Sequence, residues 1–145
     1  MLGLLNISEA VSIALHTCVS LAEDPHKFHS ARQISERFGF SANHFAKITQ
    51  QLVRSGLLET ERGPSGGAKL TRPPKEITLL EIHTAAGGDP RLQGCLLKSK
   101  VCKGNCCAMG RLIAKENEKL IEILSSMTLD TVARSLKRGC VKNRE

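Results

Sequence analysis

Two short helical segments joined by a glycine turn, with a glycine-rich hairpin after them, constrain this fold more than any other feature. Apolar periodicity predicts a helix over residues 31–38 and a second that runs from Ser41, its N-cap, to about Ser55. Gly39 lies in the turn between them, and Gly56 stands where a helix commonly ends in a left-handed residue. Two short helices joined by a tight turn containing glycine form a helix-turn-helix.

The predicted hairpin follows these helices directly. Two extended segments, 57–61 and 68–71, flank a glycine-rich tip at 62–67. Pro73 and Pro74 end the second strand, because proline cannot donate to a strand ladder. A hairpin in this place is a wing. The predicted fold class is therefore mainly α with a small β-hairpin wing, a winged helix-turn-helix.

Helical periodicity also predicts helices over 7–22, 79–86 and about 129–137. A long helix from about Cys106 carries an apolar stripe, with charged residues on the opposite face. The stripe consists of Met109, Leu112, Ile113, Leu120, Ile123, Leu124 and Met127. Such a face is buried either by folding back as core or by pairing with a second copy. We favour a homodimer through this long C-terminal dimerisation helix.

These elements divide the chain into four parts. Residues 1–88 form the winged helix-turn-helix domain, and 89–107 form a cysteine-rich sensor loop. Residues 108–138 form the dimerisation helix with a short C-terminal helix, and 139–145 form a flexible tail. A chain of 145 residues is long enough for one such domain with an added oligomerisation element.

Charge and composition narrow the function classes. The net charge of +7 favours an anionic partner. The absence of Trp and Tyr argues against single-stranded nucleic acid, whose bases stack on aromatic side chains. No secretory signal, membrane-length apolar run, nucleotide-binding loop or catalytic triad is recognisable. We therefore expect a cytoplasmic protein that is not an enzyme and has no membrane partner.

Double-stranded DNA is the anionic partner that fits a winged helix-turn-helix. The second helix enters the major groove, where Asn pairs with adenine and Lys reaches guanine or phosphate. Glycine backbone at the wing tip can approach a phosphate closely. The candidate DNA-contacting residues are Arg32, Ser41, Asn43, His44, Lys47, Arg62, Ser65, Gly66, Gly67 and Lys69. A winged-helix module that binds proteins is the alternative, since its polar face would look the same.

Four of the six cysteines, Cys95, Cys102, Cys106 and Cys107, lie within thirteen residues in the predicted loop. In a reducing cytosol, clustered cysteines are more often metal ligands or redox sensors than structural disulfides. An iron–sulfur cluster, a structural zinc and a thiol switch all remain open on the residues alone. Cys18 falls on the apolar face of the first helix and is predicted to be a core residue.

Four motifs together resemble the Rrf2 family of bacterial transcriptional regulators. They are F-S-A-N-H-F-A-K-I at 40–48, L-V-R-S-G-L-L at 52–58, R-G-P-S-G-G at 62–67 and R-P-P-K-E-I-T-L-L-E-I at 72–82. The resemblance covers nearly the whole chain. It implies a homodimeric winged-helix transcription factor that binds a pseudo-palindromic operator. His44 and Ala68 stand where the family usually has Tyr and a large residue, so the resemblance does not imply the operator sequence.

The resemblance also implies a sensor in the loop. In cluster-binding members, three cysteines here hold an iron–sulfur cluster, 2Fe–2S or 4Fe–4S, and the corresponding residues are Cys95, Cys102 and Cys107. Cys106 is an alternative to Cys107 or a fourth ligand. The fourth ligand can also come from the first helix of the partner subunit, where His16 stands at a position that a His ligand can occupy. The resemblance thus predicts operator binding controlled by a cluster or by cysteine redox state.

Overall fold

Six α-helices, one 3-10 helix and one antiparallel hairpin make up the described part of the computed structural model, residues 7–88 and 107–139. In chain order they are α1 (Glu9–Ala22), α2 (Ala31–Phe38), α3 (Ala42–Arg54), β1 (Leu58–Glu61), β2 (Gly67–Leu70), the 3-10 helix (Pro74–Glu76), α4 (Leu79–Ala85), α5 (Ala108–Ser126) and α6 (Leu129–Gly139). The predicted winged helix-turn-helix is confirmed, and each predicted helix and strand is present. The 3-10 helix has no counterpart among the sequence predictions. Within these ranges, no helix combines the length and apolar character that a bilayer span requires.

Helix α1 is the centre of the core, since it packs against α2, α3, α4, β2 and α6. Its start differs from the prediction, because Ser8 caps it at Val11 N–H and Ile7 is left 49% exposed. The large side chains that are fully buried come from almost every element and include Ile13, Leu21, Leu52, Leu58, Ile77, Ile82 and Leu129. Each such aliphatic side chain contributes about 1.5–3 kcal/mol when it leaves water.

Two glycines end the helices of the helix-turn-helix. Gly39 closes α2 with a φ of +68°, and Gly56 follows α3 with a φ of +77°. Side chains with a Cβ rarely adopt this left-handed backbone, so glycine is favoured at both points. The predicted turn and left-handed helix end are thereby confirmed.

A polar network joins the end of the wing to α4. The Arg72 guanidinium lies 2.7 Å from the Glu81 carboxylate, whose other oxygen accepts from the Thr78 backbone N–H at 2.9 Å. The Thr78 hydroxyl in turn accepts from the Glu81 N–H, which completes a capping box at the start of α4. Burial opposes ionisation of Glu81, but the hydrogen bonds from Thr78 and Arg72 outweigh it and hold the pKa of Glu81 below its ordinary value.

The junction between α5 and α6 is clamped to the segment before α4. The Leu79 N–H donates to the Met127 carbonyl at 3.0 Å, and the Leu129 N–H donates to the Ile77 carbonyl at 2.8 Å. Helix α6 then packs on α1 and the 3-10 helix. The last helix is therefore part of the winged-helix core.

Helix α5 buries only part of its predicted apolar stripe. Leu124 and Met127, near its C-terminal end, pack against the core. Met109, Leu112 and Ile123 remain 55%, 54% and 52% exposed. At about 100° per residue these three lie on one side of the helix. One side of α5 thus contacts α4, while an adjacent apolar side faces outward.

Candidate nucleic-acid interface

The beginning of α3 presents four polar side chains to solvent. They are Ser41, Asn43, His44 and Lys47. The opposite face is buried through Phe45, Ile48 and Leu52, as predicted from their helical spacing. Ser41 is the N-cap by backbone conformation, but its hydroxyl makes no capping hydrogen bond. The polar side chains of α3 therefore lie on an open surface.

An aromatic stack holds this helix against α1. The rings of Phe38 and Phe40 lie 5.4 Å apart, and those of Phe40 and Phe45 lie 6.3 Å apart. The His16 ring of α1 meets Phe38 edge-on at 5.2 Å. Three of the four phenylalanines in the chain thus fix the turn between α2 and α3.

A second contact links α1 to α3 at the polar surface. Oε1 of Glu9, the first residue of α1, lies 3.4 Å from Nδ1 of His44. Sequence reasoning did not single out Glu9. The two residues are 35 positions apart on different helices, so no local pattern signals the pair.

The wing carries Arg62 and Ser65 at its exposed tip. Gly66 and Gly67 have a structural reason that the sequence did not reveal. A Cβ at Gly66 would clash with the Glu61 carbonyl, and a Cβ at Gly67 would clash with the His29 carbonyl. His29 lies this close because it forms a β-bridge with Ala68 on the outer edge of β2. The packing of the wing therefore requires these glycines, whether or not a phosphate approaches them.

Two of the candidate cations are already paired. Arg32 lies 2.7 Å from Glu36, but its side chain is 85% exposed, and exposed ion pairs are worth about 1 kcal/mol or less. Arg32 can therefore exchange this partner for a phosphate at small cost. Lys69 is only 26% exposed, since its ammonium contacts Glu59 at 2.7 Å and lies 4.7 Å from the centre of the Phe28 ring. Lys69 is thus the cation most closely tied to the wing itself.

Cys107 and His16 are the two candidate metal ligands that fall within the described residues; Cys95, Cys102 and Cys106 lie outside them. Cys107 is exposed at the N-cap of α5, where its Sγ accepts from the Gly110 N–H at 3.4 Å. In the described ranges no three His, Cys, Asp or Glu side chains converge as a metal site would require.

The contacts of His16 suit a metal ligand. Its Nδ1 lies 2.7 Å from the Ser12 carbonyl, which can only accept, so Nδ1 carries the proton and Nε2 has the free electron pair. Metal-binding histidines usually donate their other ring N–H in this way. The His16 side chain is exposed, and its ring also packs edge-on against Phe38 and Phe40.

Cys18 is a core residue, as predicted. Its thiol is fully buried, and desolvation raises its pKa from 9.0 to about 12. A thiol held neutral and away from solvent is a poor metal ligand and a poor nucleophile.

The chain matches transcriptional regulators over most of its length. A profile of the Rrf2 family, described as an iron-dependent transcriptional regulator, matches residues 7–135. BadM of Rhodopseudomonas palustris is 36% identical over 78 residues, which are 54% of this chain and 50% of BadM, so the match spans half of that relative. The HTH-type transcriptional regulator NsrR of Bacillus subtilis is 29% identical over 127 residues, 86% of this chain and 81% of NsrR. The structure of CymR, the global cysteine regulator of B. subtilis, has the same fold, with a TM-score of 0.78 at 23% identity over 91% of this chain and 98% of CymR.

Proposed function

Because this chain belongs to the Rrf2 family of transcriptional regulators, we propose that it is a homodimer that binds a pseudo-palindromic operator in double-stranded DNA. Its affinity for that operator is set by the cysteines at 95–107, through an iron–sulfur cluster or their redox state. Family members regulate transcription and are not enzymes, which agrees with the sequence prediction. The observation that carries the proposal is the exposed polar beginning of α3 beside a wing.

The chemistry of that surface supports DNA as the partner. Asn43 offers the paired donor and acceptor that recognise adenine, and Lys47 offers a charge to guanine or phosphate one turn further along. Arg62 and Ser65 are exposed at the wing tip, from which they would contact backbone phosphates. A net charge of +7 attracts the same polyanion.

The outward apolar side of α5 supports a dimer. Met109, Leu112 and Ile123 form one stripe, which a second copy can bury by presenting the same surface. A symmetric dimer presents two copies of α3, and a winged-helix dimer reads half-sites about 34 Å apart.

Three thiolates and an imidazole fit an iron–sulfur cluster and zinc alike, and the family's description as iron-dependent favours the cluster over zinc or a thiol switch. Cys95, Cys102 and Cys107 would supply three thiolates, with Cys106 as the neighbouring alternative. His16 of the second copy would supply an imidazole whose Nδ1–H already points at a carbonyl. When bound, such a cluster would supply a group that can be oxidised or reduced and that reacts with oxygen or nitric oxide. The exposed Cys107 thiol can also be oxidised directly, so the thiol switch stays the second candidate.

DNA binding is tested by selecting sequences from a random duplex pool and measuring the affinity of the selected site against salt. We expect log affinity to fall linearly with log salt, because phosphate contacts release counterions. Lys47→Ala should reduce the salt slope by about one unit. Lys115→Ala removes the same charge from the exposed face of α5 and should leave the slope unchanged. A protein that selects no sequence would support the protein-interaction alternative.

The sensor is tested on protein purified without oxygen, by visible spectrum and by iron, sulfide and zinc content. We expect a brown protein with iron and sulfide near stoichiometry with the chain. Zinc alone would identify a structural site. A colourless, metal-free protein that also takes up no cluster when reconstituted with iron and sulfide would support the thiol switch.

A further inference from the structure

We infer that Glu9 is a positioning residue that fixes the tautomer of His44 and thereby selects the base accepted at one position of each half-site. The inference rests on the proposed DNA-binding function. It extends that function to a residue of α1, outside the helix α3 that enters the major groove.

The geometry gives each ring nitrogen of His44 a different role. Nδ1 lies 3.4 Å from the Glu9 carboxylate, while within the described residues no group bonds to Nε2. An ionised carboxylate only accepts hydrogen bonds, so a neutral imidazole facing it carries its proton on Nδ1. Nε2 of His44 is then an acceptor. The His44 side chain is 58% exposed, so a base edge can reach that atom.

An accepting nitrogen discriminates between bases in the major groove. Cytosine N4 and adenine N6 are donors there, whereas guanine N7 and O6 and thymine O4 are acceptors. His44 with Glu9 beside it therefore favours cytosine or adenine. With its proton on Nε2 instead, the same ring would favour guanine or thymine.

The packing of α3 against α1 keeps Glu9 next to His44. The stack of Phe38, Phe40 and Phe45, with His16 at its end, holds α3 against α1. Glu9 itself is 71% exposed, and a pair this exposed adds little to stability. Its removal should consequently alter base choice far more than folding.

Glu9→Gln tests the tautomer without DNA. The glutamine amide can donate to Nδ1, which frees the proton to move to Nε2. Two-bond ¹H–¹⁵N spectra at about pH 8, where ordinary imidazole side chains are neutral, report which nitrogen carries the proton. We expect Nδ1–H at His44 in the natural protein and a shift toward Nε2–H in the variant. His16 is the internal control, because the Ser12 carbonyl holds its proton on Nδ1 in both. An Nε2–H tautomer at His44 in the natural protein overturns the inference, and so does an unchanged Nδ1–H tautomer in Glu9→Ala, which has no side-chain acceptor at this position.

Sequence selection tests the consequence for base choice. In Glu9→Gln we expect one base pair per half-site to change from cytosine or adenine toward guanine or thymine, by roughly threefold to tenfold, the size of one net hydrogen bond. Glu9→Asp should keep the natural preference, and Glu118→Gln, the same charge change on α5, should also keep it. Unchanged preference in both Glu9→Gln and Glu9→Ala refutes the inference and leaves the proposed function intact. Failure of the natural protein to select any sequence refutes the proposed function, and this inference with it.

Discussion

At the scale of single residues, burial decides which thiols can act. Cys18 is fully buried in α1 and Cys107 is exposed at the start of α5. The first belongs to the packing of the core, and the second is accessible to a metal or an oxidant. Sequence alone separated them, because Cys18 lies on the apolar face of an amphipathic helix and Cys107 lies among the clustered cysteines.

The buried thiol makes stability depend on alkaline pH. Burial raises the pKa of Cys18 from 9.0 to about 12, so the unfolded chain loses this proton at a lower pH than the folded chain. The free energy of unfolding should therefore fall as pH rises from about 9 toward 12, by ~2 kcal/mol at about pH 10.5. Urea titrations across this range measure the fall.

Cys18→Ala is the matched control for that titration. The variant starts from a lower stability because it leaves a cavity, but it should lack the part of the alkaline slope that Cys18 supplies. The chain has no Tyr, so lysines and the other thiols are the titrating groups left in common. Parallel slopes in the two proteins would contradict a buried neutral thiol at this position.

At the scale of elements, the wing depends on a close approach between two backbones. Gly67 has a φ of +147°, and a Cβ there would meet the His29 backbone. Gly67→Ala should destabilise the fold by more than about 2 kcal/mol, since strain and a backbone clash combine. The free energy of unfolding in urea measures the loss.

Gly63→Ala separates strain from clash. Gly63 also has a positive φ, +121°, but a Cβ there meets nothing within 4 Å. We expect a loss of about 1 kcal/mol from strain alone. Equal losses in the two variants would mean that the bridge between His29 and β2 does not constrain the wing.

Local signals explain why the elements could be predicted. Gly39 and Gly56 mark helix ends, the glycine-rich tip marks the hairpin, and apolar spacing marks the buried face of α3. Contacts between residues distant in sequence could not be predicted this way. The pair of Glu9 with His44, the bridge of His29 to Ala68, and the Arg72 network each join separate elements. The Thr78-x-x-Glu81 capping box is a further local signal, and it marks the start of α4.

The features of the candidate site were likewise predictable only where they depend on local sequence. The exposure of Ser41, Asn43, His44 and Lys47 follows from helical periodicity, so their place on the surface was predictable. The ion pair of Arg32 with Glu36 follows from their i,i+4 spacing on α2 and was also predictable. The contact of Lys69 with the Phe28 ring was not, because that ring comes from another loop. Assignment of the cysteine ligands depends on residues 89–106, which lie outside the described ranges, and stays a prediction.

At the scale of the whole molecule, α5 and α6 have different attachments. Leu129 of α6 is buried in the winged-helix core, whereas Leu112 of α5 is 54% exposed on the outward stripe. The backbone clamp between Leu79 and Met127 fixes the end of α5 to the start of α4. A displacement of α5, caused by a partner or by a change at Cys107, would therefore act on α4 through this clamp.

Leu112→Glu tests whether that stripe forms the dimer. A charge buried in an interface costs several kcal/mol unless it is paired, so we expect a monomer by sedimentation velocity. Affinity for the selected operator should also fall, since a monomer engages only one half-site. Glu118→Lys, at an exposed position at least about 120° around α5 from the three stripe residues, should remain dimeric. A dimer that survives Leu112→Glu would place the interface elsewhere.

The most direct test of the regulatory account is the ratio of two DNA affinities. The selected operator is titrated without oxygen by protein reconstituted with iron and sulfide, and by the same preparation after the cluster has been removed. If the cysteines at 95–107 control DNA binding, the two forms must differ in affinity, by about fivefold or more in either direction. Equal affinities, measured on protein whose iron and sulfide content confirms loading, would contradict it.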